Sequence, residues 1–317
     1  MNRDDIHLIS RYSNWTEKGI RQELTDNVYA TPREWKKFLY FLFICLGAGF
    51  TISGIIFFFA YNWVDLHKFA KIGVVEGGMI IALFFILFSK FNKFIKSIIL
   101  TGASVLVGIL FSVFGQIYQT GANAYDFFLV WTVFISLWVL VSNFAPLWLI
   151  YLTLINTTLI FYSQQVAHNW SPVIIFTLLF LLNISFLVIS IYRSKRRSKY
   201  KVPGWFTRAL ALASVTFSTI GISIGIHDKP GPSFIILLLT GIVCYIAGMK
   251  YGMNEKSRFY LSIIPFSVII IINSLLIKIS DEEAMLLFIS VFDIANITLV
   301  IRFLIDIQKK WDHEQRK

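Results

Sequence analysis

The chain has 317 residues, 56% of them hydrophobic and 15% charged, with a mean hydropathy of +0.69. Thirty-one Phe and nine Trp stand against 18 acidic residues, too little polar material to coat a water-soluble core, so soluble-enzyme, collagenous and disordered classes are excluded and a bilayer is implied. The excess of 29 Lys and Arg, a net charge of +11, would indicate nucleic acid in a soluble protein, but in a membrane protein it marks the cytoplasmic face.

Residues 1–38 form a charged segment with no cleavable signal pattern ahead of the first apolar run, which is therefore expected to serve as its own insertion signal. Within it Ile6, Ile9 and Tyr12 fall at helical spacing, and Ser13 or Asn14 could cap a second helix carrying Ile20 and Leu24. Thr31-Pro32-Arg33-Glu34 is a capping box with proline at the first helical position, so a helix is predicted to run through Trp35, Lys36 and Lys37 into the first span. As an amphipathic region the segment suits anionic lipid, a protein partner, or a cap folded back on the bundle.

About 20 apolar residues are needed to cross ~30 Å of hydrocarbon at ~1.5 Å per residue, and ten such runs follow. They lie at Leu39–Tyr61, Phe69–Phe88, Ser97–Tyr118, Tyr125–Val141, Ala145–Tyr162, Pro172–Tyr192, Trp205–Ile226, Ser233–Tyr251, Phe259–Ile277 and Ala284–Leu304. Only Ser142, Asn143 and Phe144 separate the fourth from the fifth, so a tight hairpin competes there with one long kinked segment.

Charge decides for ten. With both termini cytoplasmic, 25 of the 29 basic residues fall inside, in the N-terminal segment, the loops at Lys90–Lys96, at 193–208 and at Lys250–Arg258, and the stretch from Arg302 onward. The outer loops keep Lys68, Lys71, Lys229 and Lys278 beside Asp65, Asp126, Asp228, Asp281, Glu282 and Glu283. The predicted class is an all-α polytopic bundle in the cell's inner membrane. It comprises a cytoplasmic amphipathic segment (1–38), helices one to five (39–163), helices six to ten (164–305) with a basic cytoplasmic loop (193–202), and a cytoplasmic tail (306–317). The basic loops are expected to meet anionic lipids, with no nucleic acid involved.

Particular residues also carry a resemblance. Trp15-Thr16-Glu17-Lys18-Gly19-Ile20, Ala60-Tyr61-Asn62-Trp63 at the end of the first span, Gly115-Gln116-Ile117-Tyr118-Gln119 at the end of the third, Trp131 and Asn156 together resemble the prokaryotic domain-of-unknown-function family 2157, over about residues 9–160. The resemblance implies a bacterial inner-membrane protein and brings with it no reaction, substrate or catalytic residue.

Ionisable groups at membrane depth are costly to insert, which makes Glu76 in the second span and Asp293 in the tenth the first functional candidates. Counted from their span ends at the helical rise, they lie ~10 Å and ~14 Å below the outer boundary, with Asn156 at ~10 Å and Asn273 at ~8 Å. An outward-facing polar cavity is therefore predicted, floored by Glu76 and Asp293 and walled by Gln116, Tyr118 and Asn156, suited to a cation, a proton or a small solute. In the opposing reading Glu76 is a packing residue, since Gly73-Val74-Val75-Glu76-Gly77 is a GxxxG segment that permits close helix approach.

Gly221-Ile222-Ser223-Ile224-Gly225 matches the nucleophile-elbow pattern, but it lies inside an apolar run where that strand-turn-helix cannot form, and it reads as a packing face, as does Gly248 to Gly252. His7, His67, His168, His227 and His313 fall in tails and loops, and Cys45 and Cys244 are isolated in apolar runs. They offer neither disulfide framework nor zinc spacing, and no nucleotide-binding or EF-hand pattern occurs, so neither enzyme activity, cofactor nor metal is expected. Transport or sensing of a small solute or cation is the leading expectation. The alternative is a non-transporting scaffold that recruits a partner through its N-terminal segment.

Overall fold

The computed structural model describes residues 14–27, 29–62, 67–119, 121–196, 202–228, 231–279 and 283–315. Among them are eleven helices and no strand: α1 (Glu17–Asn27), α2 (Pro32–Asn62), α3 (Lys68–Phe88), α4 (Lys93–Tyr118), α5 (Ala124–Ser142), α6 (Ala145–Gln165), α7 (Pro172–Arg196), α8 (Gly204–His227), α9 (Pro232–Asn254), α10 (Arg258–Ile279) and α11 (Glu283–Gln315). All but α1 are long and apolar enough to cross a membrane, and these ten coincide with the ten predicted runs. The helical pattern expected around Ile6, Ile9 and Tyr12, and the cap at Ser13, lie outside the described residues.

Local chemistry sets the boundaries. The Thr31 N–H donates to Glu34 Oε2 at 2.8 Å and the Glu34 N–H donates to Thr31 Oγ1 at 3.3 Å, the reciprocal bonds of a capping box, and α2 runs unbroken from Pro32 through the first span. α4 begins four residues before its predicted span, because Asn92 Oδ1 accepts from the Ile95 N–H and carries the helix start back into the basic loop. Between α5 and α6 the tight hairpin forms. Asn143 adopts the left-handed conformation (φ 48°), which asparagine tolerates better than most residues, Phe144 is extended, and Pro146 sits in the first turn of α6. The far ends of the hairpin meet where the Tyr125 N–H donates to Gln165 Oε1 at 3.0 Å, so the two helices are antiparallel.

The chain divides into two compact units, residues 1–118 and 119–317. In the first, α3 and α2 pack on α4, which contributes a line of small residues, Ser97, Ala103, Ser104 and Gly108, that lets its neighbours approach. Val75, fully buried, packs with Leu106 and Val113 at the centre of this unit. In the second, α8 is central, flanked by α7 and α10, with α9 against α8 and α10, and α11 against α10. The C-terminal part of α11 is tied to the α9–α10 turn by Lys256 to Glu314 (2.8 Å) and Arg258 to Gln308 (2.9 Å), so the helix extends well past Leu304.

Both predicted glycine faces of the second unit are close-packed. A Cβ at Gly221 would lie 2.7 Å from Leu237 and 2.8 Å from Phe176, one at Gly225 2.2 Å from Phe234, and one at Gly248 2.7 Å from Ile264. Large apolar side chains meanwhile cover the outside: Phe50 and Phe57 are 73% exposed, Leu137 70% and Leu287 71%. A surface of this kind is stable only where the solvent is itself hydrocarbon, so the molecule is a multi-pass membrane protein.

Candidate functional site

In the first unit, Glu76 lies on α3 and is exposed, one residue from buried Val75 and thus on the edge of the face that packs on α4. A Cβ at Gly73 or Gly77 would meet nothing within 4 Å among the described residues, so these glycines, unlike those of the second unit, do not mark a close helix approach. Gln116 and Tyr118 are exposed at the end of α4, where the Tyr118 ring packs against Phe114 at a 40° tilt with centroids 4.5 Å apart.

The other two candidates lie in the second unit, and each is paired. Asp293, half-buried on α11, accepts a hydrogen bond from Asn273 Nδ2 of α10 at 2.8 Å. Asn273 is six residues from the end of α10, a depth of ~9 Å, which places the carboxylate nearer the helix ends than counting along α11 alone suggests. The amide oxygen of Asn273 is buried and has no hydrogen-bond partner. An amide that presents a carboxylate with its N–H and keeps its oxygen free offers, with that carboxylate, a small set of oxygens suited to a hard cation or a proton.

Next to this pair, Ser274 Oγ donates to the Ser223 carbonyl of α8 at 3.3 Å and lies 3.4 Å from His227 Nδ1. His227 Nδ1 is in turn 3.0 Å from the same Ser223 carbonyl, while Ser223 Oγ is buried without a partner. Ser223 sits inside α8 one turn from its end, with the imidazole on its backbone oxygen and away from its hydroxyl. That is the packing environment expected of the GxSxG segment, and a nucleophile elbow has no counterpart here. Lys278 Nζ donates to the Ile226 carbonyl and caps the last turn of α8.

Asn156 on α6 bonds Asn183 on α7, a partner that sequence reading overlooked. Asn183 is only 1% exposed, and its position in the middle of the sixth span was the available signal. A second overlooked feature is a chain of hydroxyls across α8, α9 and α10: Ser218 Oγ to Tyr245 OH (2.7 Å), Tyr245 OH to Ser267 Oγ (2.6 Å) and Ser267 Oγ to Thr219 Oγ1 (2.5 Å). Serines and threonines that satisfy themselves on carbonyls of the preceding turn are frequent in membrane helices, so nothing in the one-dimensional pattern distinguishes Ser218, Thr219 and Ser267. Among the described residues no group of three or more His, Cys, Asp or Glu is arranged to hold a metal ion.

No curated protein and no solved structure matches the chain. One family does, over a stretch that contains Glu76, Gln116 and Tyr118 and leaves Asn156 and Asp293 outside: residues 14–148, in the N-terminal half, match the family described as "Predicted membrane protein (DUF2157)".

Proposed function

We propose that the protein moves or senses a small cation or proton, with Asp293 as the group that gains and loses it and Asn273 as the residue that positions it. The carrying observation is the Asn273–Asp293 contact with its buried, unpartnered amide oxygen. A carboxylate at membrane depth is held there at a cost, and binding a cation or proton removes that cost, so occupancy and conformation become coupled. Glu76 is the second acidic group at comparable depth and is assigned the same coupling role in the first unit. The orientation, with both termini and the basic loops on the cytoplasmic side of the inner membrane, rests on the distribution of Lys and Arg.

Three measurements test this. In proteoliposomes carrying an internal pH-sensitive dye, the wild-type protein dissipates an imposed pH gradient and Asp293→Asn does not, although it inserts normally. Equal rates for the two proteins remove Asp293 from the role, and no flux from either removes proton movement. If the cellular phenotype depends on residues 1–34 and is indifferent to Glu76→Gln and Asp293→Asn, the scaffold reading replaces this one. For orientation, in a cysteine-free background His168→Cys is labelled by an impermeant maleimide from outside the cell and Asn254→Cys only after lysis; the reverse pattern inverts the topology.

A further inference from the structure

Helices α7 to α10 line a half-open apolar cavity of about 380 Å³ within the second unit, inside the ~300–1,000 Å³ range of small-molecule sites. Its wall on α7 runs from Phe180 to Lys195, a rise of ~22 Å against a hydrocarbon thickness of ~30 Å. Followed by α7 over this length, half open, and lined by Ile184, Leu187 and Ile264, it suits a hydrocarbon chain better than a compact polar solute.

The end of the cavity at the basic loops is chemically different. Lys195 Nζ donates to Glu255 Oε1 at 2.8 Å and stands 5.3 Å from the centre of the Tyr251 ring, with its side chain 61% exposed. An ammonium has three donors, and Glu255 takes one of them. Lys250, Lys256 and Arg258 flank Glu255 in sequence, so this end is basic even after the Lys195–Glu255 and Lys256–Glu314 ion pairs are counted. Tyr260, another lining residue, packs on Tyr251 with ring centroids 5.1 Å apart, which places it at this same end. Its side chain is almost wholly buried, and its hydroxyl has no hydrogen-bond partner.

We infer that this cavity binds one acyl chain of an anionic phospholipid, with the phosphate on Lys195 and the ester region against the Tyr251 and Tyr260 rings. The order along the cavity, cation, then tyrosine rings, then hydrocarbon, follows such a lipid from phosphate through the ester region to the chain. Glu255 is a built-in competitor: it holds the same ammonium that the phosphate takes. The site is separate from the Asn273–Asp293 pair and independent of the transport reading.

The test uses the full chain purified in mild detergent, mixed with equal amounts of phosphatidylglycerol and phosphatidylcholine carrying identical acyl chains, and read by native mass spectrometry. Phosphatidylglycerol is expected to be retained about tenfold over phosphatidylcholine, which offers the same phosphate but adds a quaternary ammonium that the basic residues at this end repel. Ala247→Trp, which projects bulk into the cavity from the exposed side of α9, abolishes retention of both lipids, with thermal unfolding in detergent confirming that the variant is folded. Lys195→Ala keeps chain binding and loses the headgroup preference. Glu255→Gln frees the ammonium and raises phosphatidylglycerol retention, a gain that damage to the fold cannot produce. Equal retention of the two lipids by the wild type, undiminished binding by folded Ala247→Trp, or no gain from Glu255→Gln overturns the assignment.

Discussion

Asn156 on α6 and Asn183 on α7 exchange their amides: Asn183 Nδ2 donates to Asn156 Oδ1 at 2.9 Å, and Asn156 Nδ2 donates back to Asn183 Oδ1 at 3.3 Å. Asn183 Nδ2 also donates to the Leu179 carbonyl at 2.8 Å. Two helices that would otherwise share only interchangeable apolar contacts are thereby held in one register, because sliding either one leaves two amides without partners in a medium that offers none. Asn156, predicted as a wall of a polar cavity, is instead engaged with its neighbour helix in the second unit.

The pair should show in a double-mutant cycle. Asn156→Leu and Asn183→Leu each leave one amide orphaned, and the double variant is expected to be less destabilised than their sum, by a coupling of ~0.6–1.7 kcal/mol. Unfolding of the purified protein in a mixed-micelle titration measures it. Strict additivity would mean that the two side chains do not cooperate in the folded state.

The two classes of glycine predict opposite outcomes for the same substitution. Gly225→Ala drives a methyl into the Phe234 ring and is expected to destabilise by ~1–3 kcal/mol, as overpacking does. Gly77→Ala, with no atom within 4 Å of the new methyl, is expected to be neutral or to stabilise α3 by up to ~1 kcal/mol through helix propensity. Thermal melts of the two variants side by side decide this, and a Gly77→Ala loss as large as that of Gly225→Ala refutes the contrast.

Tyr245 joins Ser218 and Ser267 across three helices, so Tyr245→Phe removes the middle of the hydroxyl chain while keeping the ring. Ser218 retains its bond to the Val215 carbonyl and Ser267 its contact with Thr219, which limits the expected loss to ~1–3 kcal/mol. A variant as stable as the wild type would show that the chain is dispensable to the packing of α8, α9 and α10.

How much could be read without coordinates differs by element. The ten spans emerge within a few residues because lipid enforces one rule on every crossing segment, a run of about 20 apolar residues with its backbone bonds satisfied internally. The start of α2 at Pro32 was equally legible, since the capping box is a contact between residues three apart. The closeness of Gly221 and Gly225 to their neighbours followed from spacing alone, yet the same spacing at Gly73 and Gly77 misled, because GxxxG states that a helix can be approached and says nothing about which helix approaches it. The N-terminal extension of α4 and the long continuation of α11 were missed for a different reason: polar residues at helix ends are permitted by water and by caps, so hydropathy stops short of the helix.

The sequence by itself determined that the described residues hold ten helices long and apolar enough to cross a membrane and where each lies, because both follow from composition and from short-range order along the backbone. Tertiary structure alone decided which polar groups meet. The Asn156–Asn183 pair, the Asn273–Asp293 contact and the unpartnered hydroxyl of Tyr260 beside an apolar cavity depend on the rotation and register of one helix against another. In these segments nearly every residue is apolar, so hydropathy carries little information about which face turns inward. That choice is made by small residues and hydrogen bonds between helices far apart in sequence.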